Sequence, residues 1–310
     1  MTLSTALMNT SVCRSGVISE TSVGKTSTRL RAKPPHAFKT DFSYSLRGAG
    51  GPAILTTTAT YRDPPCQIEL SKLVQTGGTA KTTTTAALGV LLARSGWALH
   101  LVDMDPQASL TRTFDERDPA DRLYFSLRDR TGLPVNDIGD GLTLSPSSLT
   151  LSQLESELVG KPGREYSLRT SLEQTRVPED TVILLDCPPS LGILAVNCLC
   201  AAGGLIVVVQ PGGFELHAVV HLNMTIRGIQ ELANPDLTLL RTILTNCHKR
   251  RSITGRVEEE VARIHNVLGS VREDARLLYA TTGGTLVKLN RSNALDDYAE
   301  VVERLRVLIV

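Results

Sequence analysis

A chain of 310 residues, 41% hydrophobic and 21% charged, can bury a substantial core as one large domain or two small ones, and has the composition of an ordinary globular protein. No apolar run approaches the roughly 20 residues needed to cross a bilayer, so no membrane-spanning helix is expected. The net charge of +1 hides an asymmetry: residues 1–65 hold eight of the 33 basic and three of the 32 acidic residues, so nucleic-acid binding by the mildly acidic remainder needs a local patch rather than an overall field.

Residues 1–65 are rich in Ser, Thr, Gly and Pro and lack helical or strand periodicity, which predicts a disordered or loosely attached extension. Basic and nearly free of acid before Asp41, the extension has features of a transit peptide. A flexible bacterial tail, or an upstream stretch translated from a misassigned start, is the preferred reading. It also holds a decoy, VGKT at Val23 to Thr26, with Ser19 where a phosphate loop needs its first glycine and no strand before it.

Residues 66–310 form the second unit. From about Ile68 apolar strands alternate with helices, which predicts an α/β fold built on a mostly parallel, twisted sheet flanked by helices. Five strands are expected: QIELSKLV from Gln67, WALHLVD ending at Asp103, TVILLD ending at Asp186, GLIVVVQ from Gly204 and LTLLRTILTN ending at Asn246. The helix TTTTAALGVLLAR after the first strand stops at Ser95-Gly96, with glycine in the usual place past a helix end. Residues 112–180 carry no clear pattern. Cys198 and Cys200 lie two apart in an apolar stretch and read as buried thiols in a reducing cytoplasm rather than as metal ligands. The last helix begins near Ser292, a candidate cap, and carries Leu295, Tyr298, Val302, Leu305 and Ile309 on a core-facing stripe.

Three strand ends carry polar residues suited to a nucleoside triphosphate. After the first strand comes TGGTAKTT. The strict phosphate-loop pattern G-x-x-x-x-G-K-[ST] fails here, because Gln75 and Ala80 stand where its glycines belong. Even so, Gly77 and Gly78 allow a tight turn whose N–H groups face phosphate oxygens. Lys81 supplies positive charge for the β and γ phosphates, and the Thr82 hydroxyl is placed for Mg²⁺. A polar turn capping a helix is the alternative. The second strand ends in Asp103 and Asp105 before Pro106, where a carboxylate near a γ-phosphate can orient an attacking water; an Asp-rich turn is the plain alternative. The third ends in Asp186, the carboxylate expected on the Mg²⁺ side of a phosphate site.

Together the phosphate loop, DMDPQAS, LLDCPPSLG and VVVQPGGFELHAV, in this order, resemble the ParA/MinD family of deviant Walker P-loop ATPases, the ParA branch in particular, over residues 70–310. In that family the loop reads KGGxGKT or KGGxAKT. The resemblance implies P-loop NTPase architecture, with ATP and Mg²⁺ as cofactors. It implies nucleotide contacts from Gly77, Gly78, Thr79, Ala80, Lys81, Thr82 and Thr83, adenine contacts from Pro211 and Asn246, metal contacts from Thr82 and Asp186, and catalytic roles for Lys81 and Asp105. It also implies an ATP-dependent homodimer that binds non-specific duplex DNA and is reset by slow hydrolysis under a ParB-like centromere-binding partner, in plasmid or chromosome partition, in a cytoplasmic, nucleoid-associated setting and without a membrane.

One position departs from the pattern. The family's signature lysine falls on Thr76, which brings no charge to a partner's phosphates. A nucleotide-binding, weakly or non-hydrolysing cargo-positioning module is therefore a second reading. A MinD-like membrane-cycling ATPase is a third, which the C-terminal sequence YAEVVERLRVLIV fits poorly. The densest basic run, Lys249, Arg250, Arg251 and Arg256, followed by Arg272, Arg276 and Arg291, is the candidate DNA surface. Local pairing with VEEEV is the alternative.

Overall fold

The computed structural model describes residues 67–72, 80–210, 215–247, 259, 261 and 266–309. All of them belong to the unit that runs from Asp63 to Val310. Eight strands form one sheet: β1 (Gln67–Lys72), β2 (Leu99–Asp103), β3 (Asn136–Asp137), β4 (Leu142–Ser145), β5 (Val182–Asp186), β6 (Gly204–Val209), β7 (Thr238–Cys247) and β8 (Val267–Arg272). Their order is β3-β4-β2-β5-β1-β6-β7-β8, and every pairing is parallel except that of the two-residue β3 with β4. The helices are α1 (Ala80–Arg94), α2 (Ser109–Thr113), α3 (Arg122–Asp129), α4 (Leu154–Glu157), α5 (Ser167–Glu173), α6 (Ile193–Ala201), α7 (Glu215–Leu232), α8 (Ala275–Thr282) and α9 (Asn293–Ile309).

Alternation along the strands divides the core into two layers, because successive side chains leave a strand on opposite faces. Leu99, Leu101, Val182, Leu184, Ile206 and Val208 pack into the layer that α1, α8 and α9 complete. Val102, Ile183, Leu185, Leu205, Val207 and Val209 pack into the layer completed by α3 to α7. Helices cover both faces, so strands β2, β5 and β6 are buried throughout; β6 and the first four residues of β5 are apolar runs, while β2 carries the buried His100. The thiols of Cys187, Cys198, Cys200 and Cys247 are buried in this interior.

Helix α1 carries the first functional residues and is fixed on several sides. Gly89 lies so close to β2 that a Cβ there would meet Leu101 Cδ2 at 2.9 Å. The buried Thr84 hydroxyl shares a 2.6 Å hydrogen bond with the Tyr298 hydroxyl of α9. The helix ends as expected: Gly96 has φ +88°, and Trp97 N donates to Leu92 O at 3.2 Å. Ser292 also does what its sequence position predicts, its hydroxyl accepting from Leu295 N at 3.1 Å. Leu295, Tyr298, Val302 and Leu305 are all buried.

The strand order places the chemistry. Strand β5 sits between β1 and β2, and all three run parallel, so the residues that follow them emerge along one edge. In an open α/β sheet that edge, where neighbouring connections diverge, is where ligands bind.

Candidate phosphate-binding site

Asp103 and Asp186 are direct cross-strand partners at the ends of β2 and β5, both fully buried. Facing them is the first turn of α1. Thr82 Oγ1 donates to Asp186 Oδ2 at 2.8 Å, and Thr85 Oγ1 lies 3.1 Å from Lys81 O and 3.4 Å from Asp186 Oδ1. Lys81 Nζ is 3.8 Å from Asp186 Oδ1, within ion-pair range but too far for a hydrogen bond. Among the described residues its ammonium group has no hydrogen-bond acceptor, and the residue is 2% exposed.

A buried ammonium without an acceptor is costly, since each lost hydrogen bond to a charge is worth about 1.5–3 kcal/mol. Phosphate oxygens are the acceptors that would relieve it, and the residues present fit such a group. Among the described residues no cluster of three or more His, Cys, Asp or Glu side chains could hold a metal on its own. The Thr82 hydroxyl beside the Asp186 carboxylate is instead the hard-oxygen pair suited to Mg²⁺, which is held through one or two protein oxygens together with phosphate and water.

Burial pushes both interior carboxyls above their ordinary range. For Asp186 the opposing influence is Lys81, followed by the Thr82 hydroxyl, while nearby Asp105 adds to the rise. Asp103 is raised to about 7 by burial and by Asp186, against hydrogen bonds from Thr111 and Asp105 N. These two carboxyls sit among fixed donors. Asp105 is different: it is 9% exposed, its Oδ1 accepts from Gln107 N at 2.9 Å, and among the described residues no cation lies within ion-pair distance.

The described residues bring Lys81, Thr82, Asp105 and Asp186 together as their sequence positions predict, with Ala80 and Thr83 on the same first turns of α1. Asn246 lies near the end of β7 on the ligand-bearing edge, at φ +53°, a left-handed conformation that asparagine tolerates. Thr76, Gly77, Gly78, Thr79, Pro211, Lys249, Arg250, Arg251 and Arg256 lie outside the described residues. Among the candidate DNA contacts, Arg272 spans β8 and α9: its guanidinium donates to both Asp297 carboxylate oxygens, at 2.8 and 2.7 Å, and to Asn293 O. Arg276 and Arg291 are exposed. Sequence reasoning missed Thr85, Thr111 and Ser147. Thr111 lies two residues past the DMDPQAS segment, whereas nothing local marks Ser147.

A parallel sheet whose central strand leads to a lysine- and threonine-bearing helix start, with carboxylates at the adjoining strand ends, defines a P-loop nucleotide-binding protein. Residues 70–239 match the family described as an AAA domain. The chain is 35% identical over 196 residues to the sporulation initiation inhibitor protein Soj of Bacillus subtilis (strain 168), which covers 61% of this chain and 76% of Soj. It is also 35% identical over 195 residues to the chromosome partitioning protein ParA of Caulobacter vibrioides (strain NA1000 / CB15N), 60% of this chain and 72% of that one. Cobyrinic acid a,c-diamide synthase from Mycobacterium smegmatis, solved with bound ADP and magnesium, superposes with a TM-score of 0.66 at 29% identity, over 78% of this chain and 94% of that one. The chain belongs to the ParA/MinD family of deviant Walker P-loop ATPases.

Proposed function

We propose that this protein is a ParA-like ATPase that serves plasmid or chromosome partition as a nucleotide-controlled switch. The observation that carries the reading is the buried Lys81 ammonium, without an acceptor among the described residues, set beside the Thr82–Asp186 pair. Lys81 binds the β and γ phosphates, and Thr82 and Asp186 hold Mg²⁺, which when bound neutralises phosphate charge. Asp105 orients the attacking water and accepts its proton. Gly77, Gly78 and Thr79 contribute backbone N–H groups, and Pro211 and Asn246 flank the adenine. The names of the curated relatives support the partition role.

In this reading the ATP-bound chain forms a homodimer and holds duplex DNA without sequence preference, through Arg276, Arg291 and the run Lys249 to Arg251. A ParB-like partner stimulates hydrolysis and release, and the protein works in the cytoplasm on the nucleoid. The test is retention of non-specific duplex DNA at modest salt, with ATP and Mg²⁺ compared with ADP and Mg²⁺, alongside ATP turnover. Retention that requires ATP, and turnover that Asp105→Ala abolishes, are the expected results. Retention indifferent to nucleotide would reduce the DNA reading to charge alone.

Thr76 favours a second reading, in which the chain binds ATP and positions cargo with negligible hydrolysis, because a threonine brings no cation to the phosphates. Thr76→Lys separates the two. A large gain in turnover supports the second reading, and an unchanged rate supports the first.

A further inference from the structure

The carboxylate that accepts the proton in the proposed reaction sits on a loop with little regular structure to hold it. After β2 the chain turns through Pro106 and Gln107 to Ala108, which has φ +52°, and enters the five-residue α2. Four buried residues close a hydrogen-bonded circuit around this turn. Thr111 donates to Asp103 Oδ2 twice, from its hydroxyl at 2.7 Å and from its N–H at 2.8 Å. Ser147 N donates to Thr111 Oγ1 at 2.8 Å, and Ser147 Oγ donates to Asp105 O at 2.9 Å. Asp105 N returns to Asp103 Oδ1 at 3.2 Å. Ser147 follows β4, so the circuit ties the Asp105 turn to the neighbouring strand.

Core packing of Met104 and Leu110 anchors the turn at both ends, and one side of it borders a cavity. Ala108, Thr111 and Ser147 line a cavity of about 600 Å³ together with Arg112, Asp115 and Thr282. Close-packed side chains resist displacement through contact on every side, and a wall facing a cavity lacks that support. Within that packing, directed hydrogen bonds at Asp105 N and Asp105 O set the orientation of its backbone. We propose that Thr111 and Ser147 are positioning residues that act as one clamp, fixing the Asp105 backbone so that its carboxylate meets the attacking water. Neither residue contacts nucleotide in this role. The inference rests on the hydrolysis reading above. A misplacement of about 1 Å at a reacting group costs on the order of 100-fold in rate.

The experiment measures ATP turnover and nucleotide affinity for the unsubstituted full-length chain and for Thr111→Val, Thr111→Ser, Ser147→Ala, Thr111→Val/Ser147→Ala and Asp105→Ala, with the folded fraction of each taken from thermal unfolding. Valine keeps the volume of Thr111 and removes its hydroxyl, whereas serine keeps the hydroxyl. The expected result is a kcat lowered about 10- to 100-fold in Thr111→Val and Ser147→Ala with nucleotide affinity unchanged. Thr111→Ser should stay near the unsubstituted rate. The double variant should be no slower than the slower single one, because parts of one clamp do not add. The proposal is overturned if Thr111→Val turns over normally, if its loss matches its unfolded fraction, if Thr111→Ser loses as much, or if the two losses multiply. Failure of the hydrolysis reading has its own signature: no turnover by the unsubstituted chain, or an Asp105→Ala variant as fast as that chain, overturns that reading and the clamp with it.

Discussion

Lys81 is a cation in a place that water does not reach, paired at 3.8 Å with an acid that burial pushes toward its neutral form. Its worth lies in what it binds. Lys81→Met keeps the length of the side chain and deletes the charge, and should weaken ATP binding about 100-fold, the loss of one or two charged hydrogen bonds, as read by fluorescent-nucleotide titration. A second buried ionisable residue sets a pH dependence. His100 on β2 is fully buried between Thr143 Oγ1 and Ser145 Oγ, each 2.9 Å from a ring nitrogen, and burial lowers its pKa to about 4. Both hydroxyls also donate to backbone carbonyls, Ser145 Oγ to Pro134 O at 2.6 Å and Thr143 Oγ1 to Leu99 O at 3.0 Å. In the unfolded chain this histidine titrates near 6.5, so below that pH the unfolded state binds the extra proton. Stability is intact above about 6.5 and is lost as pH falls toward 4, by about 3 kcal/mol in all. The buried carboxyls Asp103 and Asp186 slope the other way, so the comparison must be differential: urea unfolding at pH 7.5 and 5 should show a larger acid loss for the unsubstituted chain than for His100→Gln.

The elements show which parts of the fold were legible. Ser292 caps α9 through one hydrogen bond to Leu295 N, and Ser292→Ala should cost about 1 kcal/mol. In a domain this size that is a fall of about 2–4 °C in the unfolding midpoint, readable by calorimetry. The cap was visible beforehand because capping is local: a serine three residues before a buried leucine. Strands β5 and β6 were visible because burial on both faces turns them into apolar runs, and β2 and β7 because apolar residues cluster in them despite His100 and Arg241. Strands β3 and β4 escaped because they are two and four residues long at the sheet edge. Strand β8 escaped because Gly269 interrupts it, at a point where α9 comes so near that a Cβ would meet Val301 Cγ2 at 2.7 Å. The site divides in the same way. Lys81, Thr82 and Asp186 follow from spacing along single segments, while Ser147 reaches Asp105 from 42 residues away, through tertiary structure that no local pattern encodes.

For the whole molecule, nucleotide and stability are linked. A ligand that binds only the folded state stabilises it by about 2.7 kcal/mol when present at 100 times its Kd. Mg²⁺-ATP should therefore raise the unfolding midpoint of the full chain, and Lys81→Met should abolish the rise. Removing residues 1–65 should leave the rise intact, since the functional residues named above all follow that segment; its loss would assign the segment a part in the site.

The position of β1 has a further consequence during synthesis. Its neighbours are β5 and β6, whose first residues, Val182 and Gly204, are made more than 100 residues after β1 ends at Lys72. At about 5–20 residues per second a ribosome needs on the order of 10 s to reach β5. For that interval the strand at the middle of the finished sheet has neither edge paired. Nascent chain and chaperones meet it as an open β-edge, and Lys81 and Thr82 meet Asp186 only once β5 has been translated.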